Sequence, residues 1–92
     1  MKFMTTWKLS PGTRNEAIDR FLAGKAAPPA GVTLLGRWHK TDGSGGFSLY
    51  ESTNPQAMYE TAAIWSDVME IQSTIIVEDA EAAPILAKIV KK

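Results

Sequence analysis

The apolar residues of this 92-residue chain change period along its length, and that alternation constrains the fold more than any other property of the sequence. From Lys2 to Lys8, Phe3, Thr5 and Trp7 alternate with Met4 and Thr6, a period of two carried by aromatic and β-branched residues, as in a strand. Ala17, Ile18, Phe21 and Leu22 then repeat at helical spacing and form one apolar stripe, leaving Arg14, Asp19 and Arg20 for solvent. This helix has two competing starts, Ser10 before Pro11 or a capping box from Thr13 to Glu16, and Gly24 is its stop. The stretch from Lys25 to Gly31 contains Pro28 and Pro29, which cannot continue a helix and make a stiff connector. Period two returns in Val32 to Lys40 and again in Gly46 to Glu51, and the turn Thr41 to Gly45 joins them as a hairpin. Asn54 and Pro55 repeat the cap-then-proline signal, and Met58, Thr61, Ala62, Trp65 and Val68 follow on a second helical stripe. From Met69 to Glu78, Ile71, Ser73, Ile75 and Val77 share one face of a strand opposite Gln72, Thr74 and Ile76. Asp79 caps a turn, and Pro84 begins or kinks a last helix with Ile85, Leu86, Ile89 and Val90 on its apolar side.

The resulting order, β-α-β-β-α-β with an added C-terminal helix, predicts an α+β, ferredoxin-like sandwich as one domain over residues 1–92. A chain this short buries only roughly 60 to 70% of its unfolded surface, so its core needs a supplement. Cysteine is absent, which removes disulfides, thiol chemistry and cysteine-ligated metals. Oligomerisation is the remaining supplement, and the strands agree with it. Two helices cover one face of the sheet, yet large apolar residues fall on both: Phe3 and Trp7 against Met4, Leu35 against Leu34 and Trp38, Ile75 and Val77 against Ile76. A second copy of the sheet would cover the other face, so a homodimer is expected.

Charge and composition exclude several function classes. Ten basic and ten acidic residues cancel, so the footprint of a nucleic-acid binder is missing. No stretch reaches transmembrane length, and Phe3 to Trp7 is too short and too rich in threonine for a signal peptide, so the expectation is a cytoplasmic protein without a membrane partner. The lone histidine, His39, leaves too few ligands for the common metal sites, and no metal is expected.

Reactive side chains concentrate in the hairpin. Alternation places Leu35, Arg37 and His39 on one face and Leu34, Gly36 and Trp38 on the other. A turn of Thr41 to Gly45 sets His39 opposite Phe47 and Arg37 opposite Leu49, with Glu51 on the same face. Arginine, histidine and glutamate in an apolar pocket can bind a carboxylate or phenolate and move a proton, Arg37 orienting the anion and His39 acting as acid or base. The plainer alternative pairs Arg37 with Glu51 or another carboxylate and leaves His39 hydrated at a strand end. Trp7, Trp38, Tyr50 and Trp65 are either walls for a flat aromatic ligand or core and interface residues. The Gly-rich turn opens no helix and so is no phosphate cradle, although its glycines suit a mobile lip over a cleft. No serine sits in a Gly-x-Ser-x-Gly elbow, and Lys88, Lys91 and Lys92 read as a solvated end that complements the last helix dipole.

The run Leu34-Leu35-Gly36-Arg37-Trp38-His39 with the glycines after it, the helix from Asn54 to Asp67, and the segment from Asp79 to Lys88 resemble a bacterial family of small uncharacterised domains. That family is similar to a branch of the dimeric α/β-barrel superfamily. The resemblance implies a homodimer whose two sheets form a barrel, with a cleft between sheet and helices in each subunit. Superfamily relatives include cofactor-free monooxygenases, lactone isomerases, haem-degrading enzymes and proteins with no known activity, and fold does not choose among them. The haem degraders hold iron through a histidine late in the chain, and none follows His39 here. No cofactor is expected. Two readings stand: a small-molecule protein, extending to a cofactor-independent enzyme on an aromatic or polyketide-like compound, or a non-enzymatic ligand sensor or protein-interaction module.

Overall fold

The computed structural model describes residues 1–90. The chain runs β1 (Lys2–Leu9), α1 (Arg14–Leu22), β2 (Val32–His39), β3 (Gly45–Ser52), α2 (Pro55–Trp65), β4 (Met69–Ile76) and α3 (Asp79–Val90). The strands form one antiparallel sheet in the order β2-β3-β1-β4, so each helical crossover passes a strand that its own βαβ unit does not contain. This is the expected α+β, ferredoxin-like arrangement with a C-terminal helix. No helix among the described residues is long and apolar enough to cross a membrane.

Helix starts follow local chemistry. Asn54 caps α2, its Oδ1 accepting from the amides of Gln56 and Ala57, with Pro55 at the first helical position. Thr13 precedes α1 but donates its hydroxyl to the Val68 carbonyl, 2.8 Å away, and so fastens α1 to the loop before β4. Helix α3 starts at Asp79, with Pro84 inside it, because Glu78 and Glu81 make a reciprocal cap: the Glu81 amide donates to the Glu78 carbonyl, and the Glu81 carboxylate accepts from the Glu78 amide. Lys88 lies in the last turn of α3, while Lys91 and Lys92 lie outside the described residues.

Strand register sorts the side chains into rows. On the helix-covered face, Leu34, Tyr50, Phe3 and Ile75 form one row, Arg37, Ser48, Thr5 and Ser73 the next, and His39, Gly46, Trp7 and Ile71 a third. The first row carries the core, where Phe3, Tyr50, Val32 and half-buried Leu34 pack with Ala57 and Met58 of α2. The second row is polar: Ser48 and Thr5 are buried, and Thr5 donates to the Ser73 hydroxyl at 3.3 Å. The third row, together with Leu9 and Met69, lies beneath α1.

Two features of the hairpin differ from the sequence expectation. Leu35 is an extra residue in β2, a bulge between the pairs Leu34–Tyr50 and Gly36–Leu49, so Leu34 joins the face of Arg37 and His39. The turn is Thr41 to Ser44, one residue shorter than expected. It is closed by the Lys40 amide on the Gly45 carbonyl and by Asp42, which accepts from the amide and hydroxyl of Ser44. One residue of slip exchanges the faces of a strand. His39 therefore pairs with Gly46 and Arg37 with Ser48; Ser48 and Tyr50 turn toward the helices, and Phe47, Leu49 and Glu51 turn away.

Candidate functional site

Helix α1 is a roof rather than a core helix. Of its apolar stripe only Ala17 is buried; Phe21 and Leu22 remain 40% and 74% exposed. Its attachments are at its edges. Thr13 holds one end, and Arg20 grips Asp67 through both carboxylate oxygens at 3.0 and 2.7 Å while also bonding Glu16 at 3.0 Å. The Arg20 guanidinium also lies 5.9 Å from the Trp65 ring, so it is half-buried and not left to solvent. Those bonds hold the Asp67 carboxyl below its usual range and the Arg20 guanidinium above its own.

Between this roof and the sheet lies a partly open cleft of about 380 Å³, inside the roughly 300–1,000 Å³ typical of small-molecule pockets. Its walls come from every layer: Trp7 and Ile71 of the sheet, Ile18 and Phe21 of α1, Trp65 of α2, and Ala26 of the connector. Arg37 reaches it from the polar row. Its Nη2 donates to the Ala26 carbonyl at 3.0 Å and the Tyr50 hydroxyl at 3.4 Å, and the guanidinium lies 5.8 Å from the Phe21 ring. His39 stands at the lip, exposed, edge-on to Trp7 at 5.6 Å and to Phe21 at 5.4 Å. Gly46 makes room for this group, since a Cβ there would collide with the Trp7 ring and the Trp38 carbonyl.

Five of the residues singled out from the sequence thus meet at one cleft: Arg37, His39, Trp7, Tyr50 and Trp65. Trp38 and Glu51 do not. Trp38 lies on the opposite face, 47% exposed, stacked on Phe47 at 5.1 Å with its ring across Gly36. Glu51 was expected beside Arg37, but the register turns it to that same opposite face. There its carboxylate meets the Met1 amine at 2.9 Å, which holds the carboxyl below its usual range. The alternative pairing of Arg37 with a carboxylate also fails among the described residues, where its hydrogen-bond partners are a carbonyl and a phenol. Phe21, Ser48 and Arg14 are site residues that the sequence did not single out. Phe21 stood on the α1 stripe, Ser48 needed the true register, and Arg14 is exposed yet lays its guanidinium against Gly43 at the cleft. Among the described residues no three His, Asp or Glu side chains gather as a metal site.

No curated protein and no solved structure matches the chain. Residues 1–90 match the family described as Domain of unknown function (DUF3303), and with that match over nearly its whole length the chain belongs to the DUF3303 family.

Proposed function

We infer that this protein binds a small, largely apolar molecule in the cleft between α1 and the sheet, and that it does so as a homodimer of the dimeric α/β-barrel kind. The observation that carries the binding reading is the cleft itself: aromatic walls from Trp7, Phe21 and Trp65 around one half-buried arginine that has no carboxylate partner among the described residues. A helix that evolved only to close a core would bury Phe21 and Leu22, each contributing about 1.5–3 kcal/mol. Here they line the cleft instead. A flat aromatic or polyketide-like compound suits walls of this kind.

The catalytic extension of this reading is proton transfer by His39, with Arg37 orienting the substrate and Tyr50, Trp7 and Trp65 as walls. His39 is the imidazole at the lip, and its ring is positioned by two aromatic edges. Replacement by alanine separates the two roles. Loss of turnover with ligand affinity retained would make His39 the acid or base; equal loss of both would make it part of the wall.

The dimer rests on the opposite face of the sheet. Trp38 and Phe47, with half-buried Leu49, Met4 and Ile76 in adjoining rows, make an apolar surface on the face of the sheet away from α1 and α2, and Trp38 and Phe47 are exposed there among the described residues. Helix α3, with Ile85, Leu86, Ile89 and Val90 all exposed, offers a second apolar surface to the same partner. Native mass spectrometry of the protein purified from its source tests both parts of the reading. A species at twice the 10.0 kDa chain mass carrying a bound small organic molecule is expected. A bare monomer that takes up no aromatic ligand would sink the reading.

A further inference from the structure

We propose that the ligand of the cleft is an acid, an aromatic or alicyclic carboxylate or phenolate, and that Arg14 of α1 is a second binding residue for it alongside Arg37. This rests on the cleft being a ligand site and adds the charge of what enters it.

The chain is neutral overall, with ten acidic and ten basic residues, yet the cleft is not a sample of that mixture. Its ionisable cation-forming members are Arg14, Arg37 and His39, and none of the ten Asp and Glu residues lines it. The carboxylates closest in sequence to these basic groups are engaged elsewhere: Asp42 holds Ser44 within the turn, and Glu16 holds Arg20. A guanidinium held partly out of water without a counter-ion is costly, and an incoming anion recovers that cost.

Arg37 is prepared for this role. Only its Nη2 bonds to protein among the described residues, and those bonds, with the Phe21 ring beside the guanidinium, fix the group in place. A guanidinium carries five N–H donors, so Nε and Nη1 are left for a ligand oxygen. His39 follows two residues later on the same face of β2, about 7 Å along the strand. Beyond it the turn brings Gly43 under Arg14, whose Nη2 would lie 3.0 Å from a Cβ at that position. The left-handed backbone of Gly43, φ 74°, and its missing side chain let Arg14 lie down at the cleft. The three groups thus follow β2 and its turn along one side of the cleft, while the far side, with Trp65, Met69 and Ile71, is apolar. A molecule with an acidic end and a flat apolar body matches that polarity.

The test compares 2-naphthoate with 2-naphthamide, which share shape and differ in charge, by following the three tryptophan indole N–H signals in NMR titrations of the whole chain. The naphthoate is expected to move the signals of Trp7 and Trp65 and to bind about tenfold more tightly than the amide. Arg37→Gln should abolish that preference, and Arg14→Gln should weaken naphthoate binding about threefold while leaving the amide unchanged. Arg14 is exposed, so its variant keeps the test open even if Arg37→Gln does not fold. Equal affinity for the two probes overturns the acid proposal while the cleft reading survives. A naphthoate preference that stays at its full value of about tenfold in Arg14→Gln overturns the role of Arg14. Failure of both probes to move Trp7 or Trp65 overturns the proposal and the cleft reading together.

Discussion

At the residue scale, the hairpin is decided by where there is no room for a side chain. Gly46 pairs with His39, and the space a Cβ would need is already taken by the Trp38 carbonyl and the Trp7 ring. Neither is free to retreat, because the carbonyl belongs to the sheet and the ring is braced by His39. Gly46→Ala is therefore expected to lower stability by about 1–3 kcal/mol, read as a shift of the urea midpoint, and to displace the His39 ring resonances. Tyr50 is the complementary case, a buried phenol whose oxygen accepts from Arg37. Tyr50→Phe keeps the core volume and removes that acceptor, so it should cost about 1 kcal/mol in stability while loosening Arg37. A midpoint unchanged within error would show that this bond contributes nothing.

At the scale of elements, the two sheet-covering helices have divided their roles. Helix α2 delivers Ala57 and Met58 to the core, so its capping bears directly on stability. Asn54→Ala is expected to cost about 1 kcal/mol in chemical denaturation, since two helix-start amides lose their acceptor. Helix α1 is held by polar bonds at its margins, and that makes the roof of the cleft sensitive to acid. Arg20 keeps the Asp67 pKa below its ordinary 3.8, so the folded value lies under the unfolded one. The stabilising contribution is complete above the unfolded pKa and is lost as pH falls through the folded value. The thermal midpoint should fall as pH drops below about 3.8. Asp67→Asn should start lower at neutral pH and lose part of that acid limb, Glu51 and Asp42 supplying the remainder through their own depressed carboxyls. An acid limb identical in the two proteins would refute the assignment.

At the scale of the molecule, the sheet presents two unlike faces. One holds a core at the α2 end and a cleft at the α1 end; the other carries Trp38 stacked on Phe47, 47% and 38% exposed. Covering large aromatics stabilises an assembly, and a charge in the middle of such a patch must be desolvated without a partner. Phe47→Glu is accordingly expected to convert a dimer to a 10.0 kDa monomer in light scattering while the indole signals of Trp7 and Trp65 still respond to a cleft ligand. A wild-type protein that is already monomeric at micromolar concentration would remove the dimer.

Much of this was legible in the sequence because it depends on neighbours along the chain. Periodicity predicts every strand and helix in order, Asn54 and Pro55 mark the start of α2, and the alternation in β2 keeps Arg37 with His39 and Trp38 apart from them. Neither the one-residue difference in the turn nor the bulge at Leu35 could be read that way. Both depend on how Asp42, Ser44 and the strand amides satisfy one another in space, and a glycine-rich turn leaves that choice open. That step of one residue carried Glu51 away from Arg37 and brought Ser48 and Tyr50 beside it. The sequence by itself determined which elements form and which reactive groups are neighbours on a strand, since those follow from local backbone geometry. Only the tertiary structure decided which face each group meets, that α1 would roof a cleft, and that Arg14 would lie along its edge, because these depend on register and on contacts between residues far apart in the chain.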